Sequence, residues 1–467
     1  MVNTRTVTDG MGELRVPSDA LYGAQTQRAV QNFPISGLAM PRPFLRALAQ
    51  IKAAAAMANA ALGVLESERA EAIVAAVDGV LDDWPSEAFP VDVFQTGSGT
   101  SSNMNMNEVL ATLANRWLTA RRSAQAVHPN DHLNCSQSSN DVVPSAIQTA
   151  AAQVLAEELL PALLHLISCI DKRADELAGV VKTGRTHLMD ATPLTLGQEL
   201  SAWSAQLRAA EAALRACQPR LHDLPLGGTA VGTGLNAHPG FSAAAARLLS
   251  ERCRLPLTAA ANRFAGIAGQ GAAVELAGQL NHLASVVSKI CNDLRWMNSG
   301  PLTGLGEIEL PALQPGSSIM PGKVNPVIPE AVLMVCAQLS ASLQAISLAG
   351  FSGNFQLNVM LPLVAHNLLP PMQWLARGMR QLADTAIAEF VVREEHIASS
   401  LARNPILVTA LNPLIGYDKA AAIAKRAYRE GRPVLEVAIE DSGRAEGELR
   451  RLLDPLQLTS GGVAKSD

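Results

Sequence analysis

The stretch LAGQLNHLASVVSKICNDLRWM, residues 276–297, decides the fold class. Leu276, Leu280, Leu283, Val287, Ile290, Leu294 and Met297 follow one another at alternating steps of four and three. Such a series lays one apolar seam along an α-helix for three heptads, as in a long helix packed within a bundle. Trp203, Leu207, Ala210 and Leu214 repeat the pattern, and Val332, Val335, Leu339, Leu343 and Ile346 carry it into another helix. Further helices are expected over 43–62 and 66–81. Pro85 and Pro90 interrupt the pattern, and the first forty residues read as an irregular arm. Strand signals are few, so the expected fold is mainly α with a central bundle of long helices.

Composition agrees with this reading. Of 467 residues, 48% are apolar, 17% charged and 4% aromatic, which supports a large core and argues against extended disorder. Alanine and leucine recur, and both lose little side-chain freedom in a helix. The net charge of −5 excludes a global basic field for nucleic acid but permits a local basic pocket. The alanine-rich stretch 53–65 contains Asn59 and falls short of the roughly 20 residues that span a bilayer. The start MVNTRTVTDGMGELRVP lacks an apolar secretory core. The six cysteines form no CxxC pair and read as reduced thiols. A cytoplasmic protein is expected, with neither a zinc nor a redox motif and no membrane or nucleic-acid partner.

Five polar segments stand out against the helices: 96–107, 128–141, 184–198, 227–236 and 316–326. The last, GSSIMPGKVNP, holds two hydroxyls, a cation and an amide between glycines and prolines. It is not a phosphate-binding P-loop. Five residues, not four, separate Gly316 from Gly322-Lys323, and Val324 stands where Ser or Thr is required. Residue types alone leave two readings, a proline-rich connector or a mobile loop that presents Ser317 and Lys323 to an anion.

This segment matches the signature GSSxMPxKxNP of the aspartase/fumarase superfamily at every fixed position. Gly97–Asn107, His128–Asp131, Ser136–Asp141, Gly184–Leu188 and the tail Ala410–Tyr417 resemble class II fumarases in the same order. Ser98, Ser139 and Gly322 stand where aspartases usually carry Ala, Thr and Ala, so the resemblance leans to fumarase. It implies a three-domain architecture: an N-terminal domain over 1–138, the long-helix domain over 139–394 and a small helical domain over 395–467. It also implies a homotetramer, with the long helices at its core and active sites shared between subunits.

The implied reaction is the reversible, cofactor-free hydration of fumarate to (S)-malate. Removing a proton beside a carboxylate needs a base, donors for the charge that develops, and an acid for the departing hydroxyl. By resemblance Ser317 is that base, and His187 handles water on the other face with Glu330 as its partner. Ser98, Gly99, Thr100, Ser138, Ser139, Asn140, Thr186, Ser318, Lys323, Val324 and Asn325 are the implied substrate-binding residues. His128, Pro129, Asn130 and Asp131 match a second anion site, although His132 and Leu133 follow where Asp and Val are common. His132 lies four residues from His128, but Pro129 spoils regular helical geometry and no third ligand is apparent, so a metal pair is rejected. Two other functions stay open on the residues: an aspartate ammonia-lyase, and a non-catalytic structural relative.

Overall fold

The computed structural model describes residues 3–462. A hairpin opens the chain, β1 (Thr4–Asp9) with β2 (Gly12–Pro17), followed by α1 (Ala24–Asn32). The expected irregular arm is therefore ordered structure. The TRTVTD and GELRVP segments supply alternating positions, and Val16 is fully buried. Next come α2 (Arg42–Ala61), α3 (Ser67–Asp82), α4 (Thr100–Ala120) and α5 (Ser139–Val154). A single π-helical turn, Leu155–Leu159, joins α5 to α6 (Leu160–Glu176).

A second hairpin, β3 (Val181–Thr186) with β4 (Met189–Thr195), occupies what the sequence presents as a loop. It leads into α7 (Leu196–His222), α8 (Phe241–Cys253), α9 (Arg263–Ala268) and α10 (Gly271–Met297). Then follow α11 (Val327–Gly350) and α12 (Leu361–Gln381). The tail carries short helices, with Asn404 capping the turn Pro405–Leu411 and Asn412-Pro413 opening the next helix.

The first two expected seams are buried, and of the third Val332, Leu339, Leu343 and Ile346 are buried while Val335 is half-buried. Leu276, Leu280, Leu283, Val287, Ile290 and Leu294 have no exposed surface, and neither do Trp203, Leu207, Ala210 and Leu214. Polar ties join the long helices between seams. The Trp203 indole N–H donates to Asp293 Oδ2 at 3.1 Å, and Ser340 Oγ donates to Asn281 Oδ1 at 2.9 Å.

The chain divides into two compact units. The first holds Met1–Pro161, Ala210–Ala284 and Val335–Ala376, and the second holds Ala162–Ala209, Ser285–Met334 and Arg377–Asp467. In the first, α2 packs against α3, α5 and α8. In the second, the tail builds its own apolar cluster from Leu411, Ile423, Val434, Val437 and Leu449. All six cysteines are free thiols. Two helical stretches, Ser139–Glu176 and Val327–Gly350, are long and apolar enough to cross a membrane, a length the alanine-rich stretch 53–65 lacks.

Candidate active site

In the first unit two helix N-termini carry the candidate binding residues. Gly99, in left-handed conformation with φ +74°, precedes α4, and a Cβ there would meet the Val143 side chain at 2.9 Å. Only glycine allows both the turn and the approach. The Ser98 and Thr100 hydroxyls lie 2.8 Å apart. Ser138 caps α5 in a capping box with Asp141: Ser138 N–H donates to Asp141 Oδ1 at 2.9 Å, and Asn140 N–H donates to Ser138 Oγ at 3.2 Å. Asn103 Nδ2 donates to Ser139 Oγ at 3.0 Å, which ties the start of α5 to α4. Asn140 Nδ2 donates to the Ala230 carbonyl at 2.8 Å. Helix N-termini carry unpaired N–H groups and partial positive charge, so this face suits a carboxylate.

Asp141 is wholly buried and accepts N–H bonds from Gly227 and Thr229 through Oδ2, at 2.8 and 2.9 Å. Burial pushes its carboxyl up to about 6, while the donated backbone bonds and the charge of Lys52 pull the other way. The polar run 96–107 is a short loop that leads into α4 and is helical from Thr100 onward. Asn103, Asn105 and Asn107 are buried there, and their amides donate to Ser139 and Asn134, to the Ala88 carbonyl, and to Asn134 respectively.

In the second unit the candidate reacting groups sit on exposed segments. The ring of loop 316–326 is closed by Gly316 N–H to the Lys323 carbonyl at 2.9 Å and by Asn325 Nδ2 to the Gly316 carbonyl at 2.6 Å. A Cβ on Gly316 would come within 2.1 Å of the Lys323 carbonyl oxygen, so glycine is obligatory there. Ser317 Oγ accepts N–H bonds from Ile319 at 3.3 Å and Met320 at 3.1 Å. Ser318, Lys323 and Val324 are exposed, and among the described residues the Lys323 ammonium has no ion-pair partner. Lys323, Val324, Asn325 and Glu330 line a cleft of about 570 Å³ together with Arg295 and Arg393. The sequence reading missed these two arginines, which lie outside the matched motifs. Only their convergence in space reveals them.

His187 and Leu188 form the two-residue tip of the β3–β4 hairpin, with φ of +54° and +60°. Thr186, next to them, is likewise exposed. Two positive φ values in a two-residue turn match the type I′ geometry, which favours Asn-Gly and costs energy for His-Leu. The hairpin is anchored at its base. Lys182, 2% exposed, lies 2.6 Å from Glu199 Oε2 and 2.7 Å from Glu307 Oε2, and Arg185 Nη1 lies 2.8 Å from Glu307 Oε1. Within one chain, among the described residues, the His187 and Glu330 side chains make no hydrogen bond or ion pair with each other.

The segment His128–Asp131 is an exposed turn that satisfies itself. His128 Nδ1 accepts N–H bonds from Asn130 and Asp131 at 3.3 and 3.2 Å, and Pro129 lies between them. His132 Nδ1 accepts the His128 N–H at 2.8 Å. His132 thereby caps the turn. The structure brings together another group of potential ligands that their sequence separation hides. His165 and Cys169 on α6 meet Asp384, with His165 Nε2 and Asp384 Oδ1 2.5 Å apart. The contact reads as an ion pair that fastens the π-helical turn Leu382–Ile387 to α6.

Comparison with known proteins places this architecture. Residues 12–340 match the lyase family model, and residues 407–460 match the fumarase C C-terminus model. A class II fumarate hydratase of Xylella fastidiosa is 59% identical, covering 97% of this chain and 95% of the relative. One from Pseudomonas aeruginosa, "Fumarate hydratase class II 2", is 57% identical over 99% of this chain and all of the relative. The crystal structure of a class II fumarase from Schistosoma mansoni superposes with a TM-score of 0.94 at 37% identity, covering 98% of this chain and 99% of the other. The mainly α fold, the order of the motifs and the two matched models converge: the chain belongs to the class II fumarases of the aspartase/fumarase superfamily.

Proposed function

We propose that this chain is a fumarate hydratase that interconverts fumarate plus water and (S)-malate, with Ser317 as the base for the carbon proton. The observation that carries the role of Ser317 is the pair of backbone N–H groups directed at its Oγ. Serine is a weak base unless its alkoxide is stabilised. Two fixed donors supply that stabilisation, and exclusion of water strengthens it. Lys323 and Asn325 hold a substrate carboxylate, with Thr186, Ser318 and Val324 completing the wall. The N-termini of α4 and α5, through Ser98, Gly99, Thr100, Ser138, Ser139 and Asn140, hold the other groups of the dicarboxylate. As the carbon proton leaves, charge moves onto the neighbouring carboxylate, where Lys323 and the amide donors meet it. His187 protonates the departing hydroxyl in the malate direction and takes a proton from water in the other.

A homotetramer with shared sites fits this division of labour. α11 carries one charged residue, Glu330, in 24 residues. Its exposed face presents Ala331, Met334, Ala337, Ala341 and Leu348, with Gln338 and Gln344 as its polar members and no charge. Such a face favours burial against another helix. In the assembly Glu330 of one subunit orients His187 of another, which is why the pair need not meet within a chain. Glu330→Gln is expected to lower turnover without unfolding the protein. His128–Asp131 serve as an outer anion site, and the protein works in the cytoplasm without a cofactor.

The test is fumarate formation by the purified protein from (S)-malate and, in parallel, from aspartate. Rapid turnover of malate with negligible turnover of aspartate is expected. Comparable rates on aspartate would make the protein an ammonia-lyase, and inactivity on both would make it a structural relative.

A further inference from the structure

α2 is a core helix with a polar exception. Its middle reads LAQIKAAAAMANAA, and Lys52 is 1% exposed with alanines on both sides. Among the described residues no carboxylate lies within ion-pair distance of its ammonium, unlike that of Lys182. Lys52 Nζ donates to Asn134 Oδ1 at 3.2 Å and to Gln137 Oε1 at 3.0 Å. Burial pushes the amine down to about 7, with Asp141 as the nearby charge opposing that shift. A lone lysine in a core is costly to keep, so its two contacts matter.

Both contacts fall on the segment that leads into α5. Asn134 Oδ1 also accepts from Asn103 Nδ2 at 3.1 Å, and the same Asn103 amide donates to Ser139 Oγ at 3.0 Å. Two amide side chains therefore separate the Lys52 ammonium from the Ser139 hydroxyl. Gln137 passes the hold along the backbone, its Nε2 donating to the carbonyls of Leu133 and Cys135 at 3.0 Å each. Two turns further along α2, Asn59 grips the same segment. Its Nδ2 donates to the Cys135 carbonyl at 3.0 Å, and its Oδ1 accepts from Ser136 Oγ at 2.8 Å. Ser136 is held at φ +62°, a conformation a serine keeps only when its surroundings impose it.

We propose that Lys52 is a positioning residue for substrate binding, holding Asn134 and Gln137 so that Ser138, Ser139 and Asn140 face the substrate at the start of α5. It rests on the fumarate hydratase reading for the identity of the substrate. Lys52 touches no substrate itself. The segment it fastens binds the substrate in both ground and transition states, so loosening it raises KM more than it lowers kcat.

The experiment compares wild type, Lys52→Met, Gln137→Leu and the double variant of the full-length protein. Kinetics with (S)-malate are measured together with backbone hydrogen exchange over residues 134–140. Lys52→Met is expected to raise KM roughly 10-fold or more, the scale of a lost charged hydrogen bond, with kcat changed by less than about 3-fold. Exchange over 134–140 speeds up. Gln137→Leu shows the same split to a lesser degree, and the double variant is little worse than Lys52→Met, because both act through one hold. Unchanged KM and exchange in Lys52→Met, or fully additive losses in the double variant, would overturn the proposal. If Lys52→Met does not fold, Gln137→Leu decides the matter: unchanged KM and unchanged exchange there overturn it. If the wild type turns over no malate, the functional reading fails, while the exchange measurement still decides the positioning role.

Discussion

Lys52 and Lys182 are buried to almost the same degree, yet their surroundings differ. Lys182 sits between two carboxylates, Glu199 and Glu307, and Arg185 balances the second. Lys52 has only amide carbonyls as direct partners. Each lysine holds down a segment that carries candidate site residues. The ion network fixes the base of a hairpin whose tip, His187-Leu188, is exposed and strained. The amide lattice fixes a segment that ends in a capped helix, with Ser139 buried. The difference separates two tasks. Substrate-binding groups in the first unit stand on helix N-termini already tied by internal hydrogen bonds. The proposed reacting groups Ser317 and His187, in the second unit, stand on exposed segments, which the proposed homotetramer would complete from a partner subunit.

The variant that tests the division most severely is Ser317→Ala. It removes the proposed base from a loop with little packing, so kcat is expected to fall by roughly 10²–10⁴-fold with the thermal midpoint unchanged. A large fall in the midpoint would mean that Ser317 is structural. Lys182→Met comes next. It leaves Glu199 and Glu307 without their shared cation, and breaking a buried pair on one side typically costs about 3–5 kcal/mol. Chemical denaturation measures the loss, and near-native stability would contradict the role of the ion network. Ser98→Ala is expected to raise KM for malate by roughly 5–10-fold with little change in kcat, since it removes one hydroxyl from a binding face and none from the reacting groups.

The smallest effect concerns pH. Burial lowers Lys52 to about 7 in the folded chain, from 10.5 as the reference. Between those values the unfolded chain binds more protons at this site, so the site's contribution to stability rises with pH from about 7 to 10.5. Asp141 works in the other direction at lower pH. Its folded value of about 6 lies above 3.8, so its contribution falls as pH rises from 3.8 to about 6. Denaturation midpoints of wild type and Lys52→Met between pH 7 and 10 should therefore diverge in slope, the variant losing the alkaline gain. Parallel slopes would show that Lys52 keeps its proton through charge compensation.

The sequence disclosed the long helices because their seams repeat at helical steps, and Leu276 to Leu294 are buried as that spacing requires. The β3–β4 hairpin escaped because His187-Leu188 is a poor turn pair on propensity and takes its φ values against preference. The buried asparagines of α4 gave no local signal of their role, because their amide N–H groups reach partners distant in sequence, Asn134, Ser139 and the Ala88 carbonyl. Motifs carried the candidate site residues, since each is a short local pattern. Lys52 inside an alanine run, and Arg295 and Arg393 around the cleft, belong to no pattern and became visible only through what they face.

The claim that Ser317 serves as the base while other residues hold the substrate is tested most directly by fumarate binding to Ser317→Ala. Calorimetric titration of that variant should give a dissociation constant within about threefold of the wild-type value, alongside turnover reduced at least roughly a hundredfold. Loss of fumarate binding together with turnover would contradict the account, because it would make Ser317 a binding group and not the base.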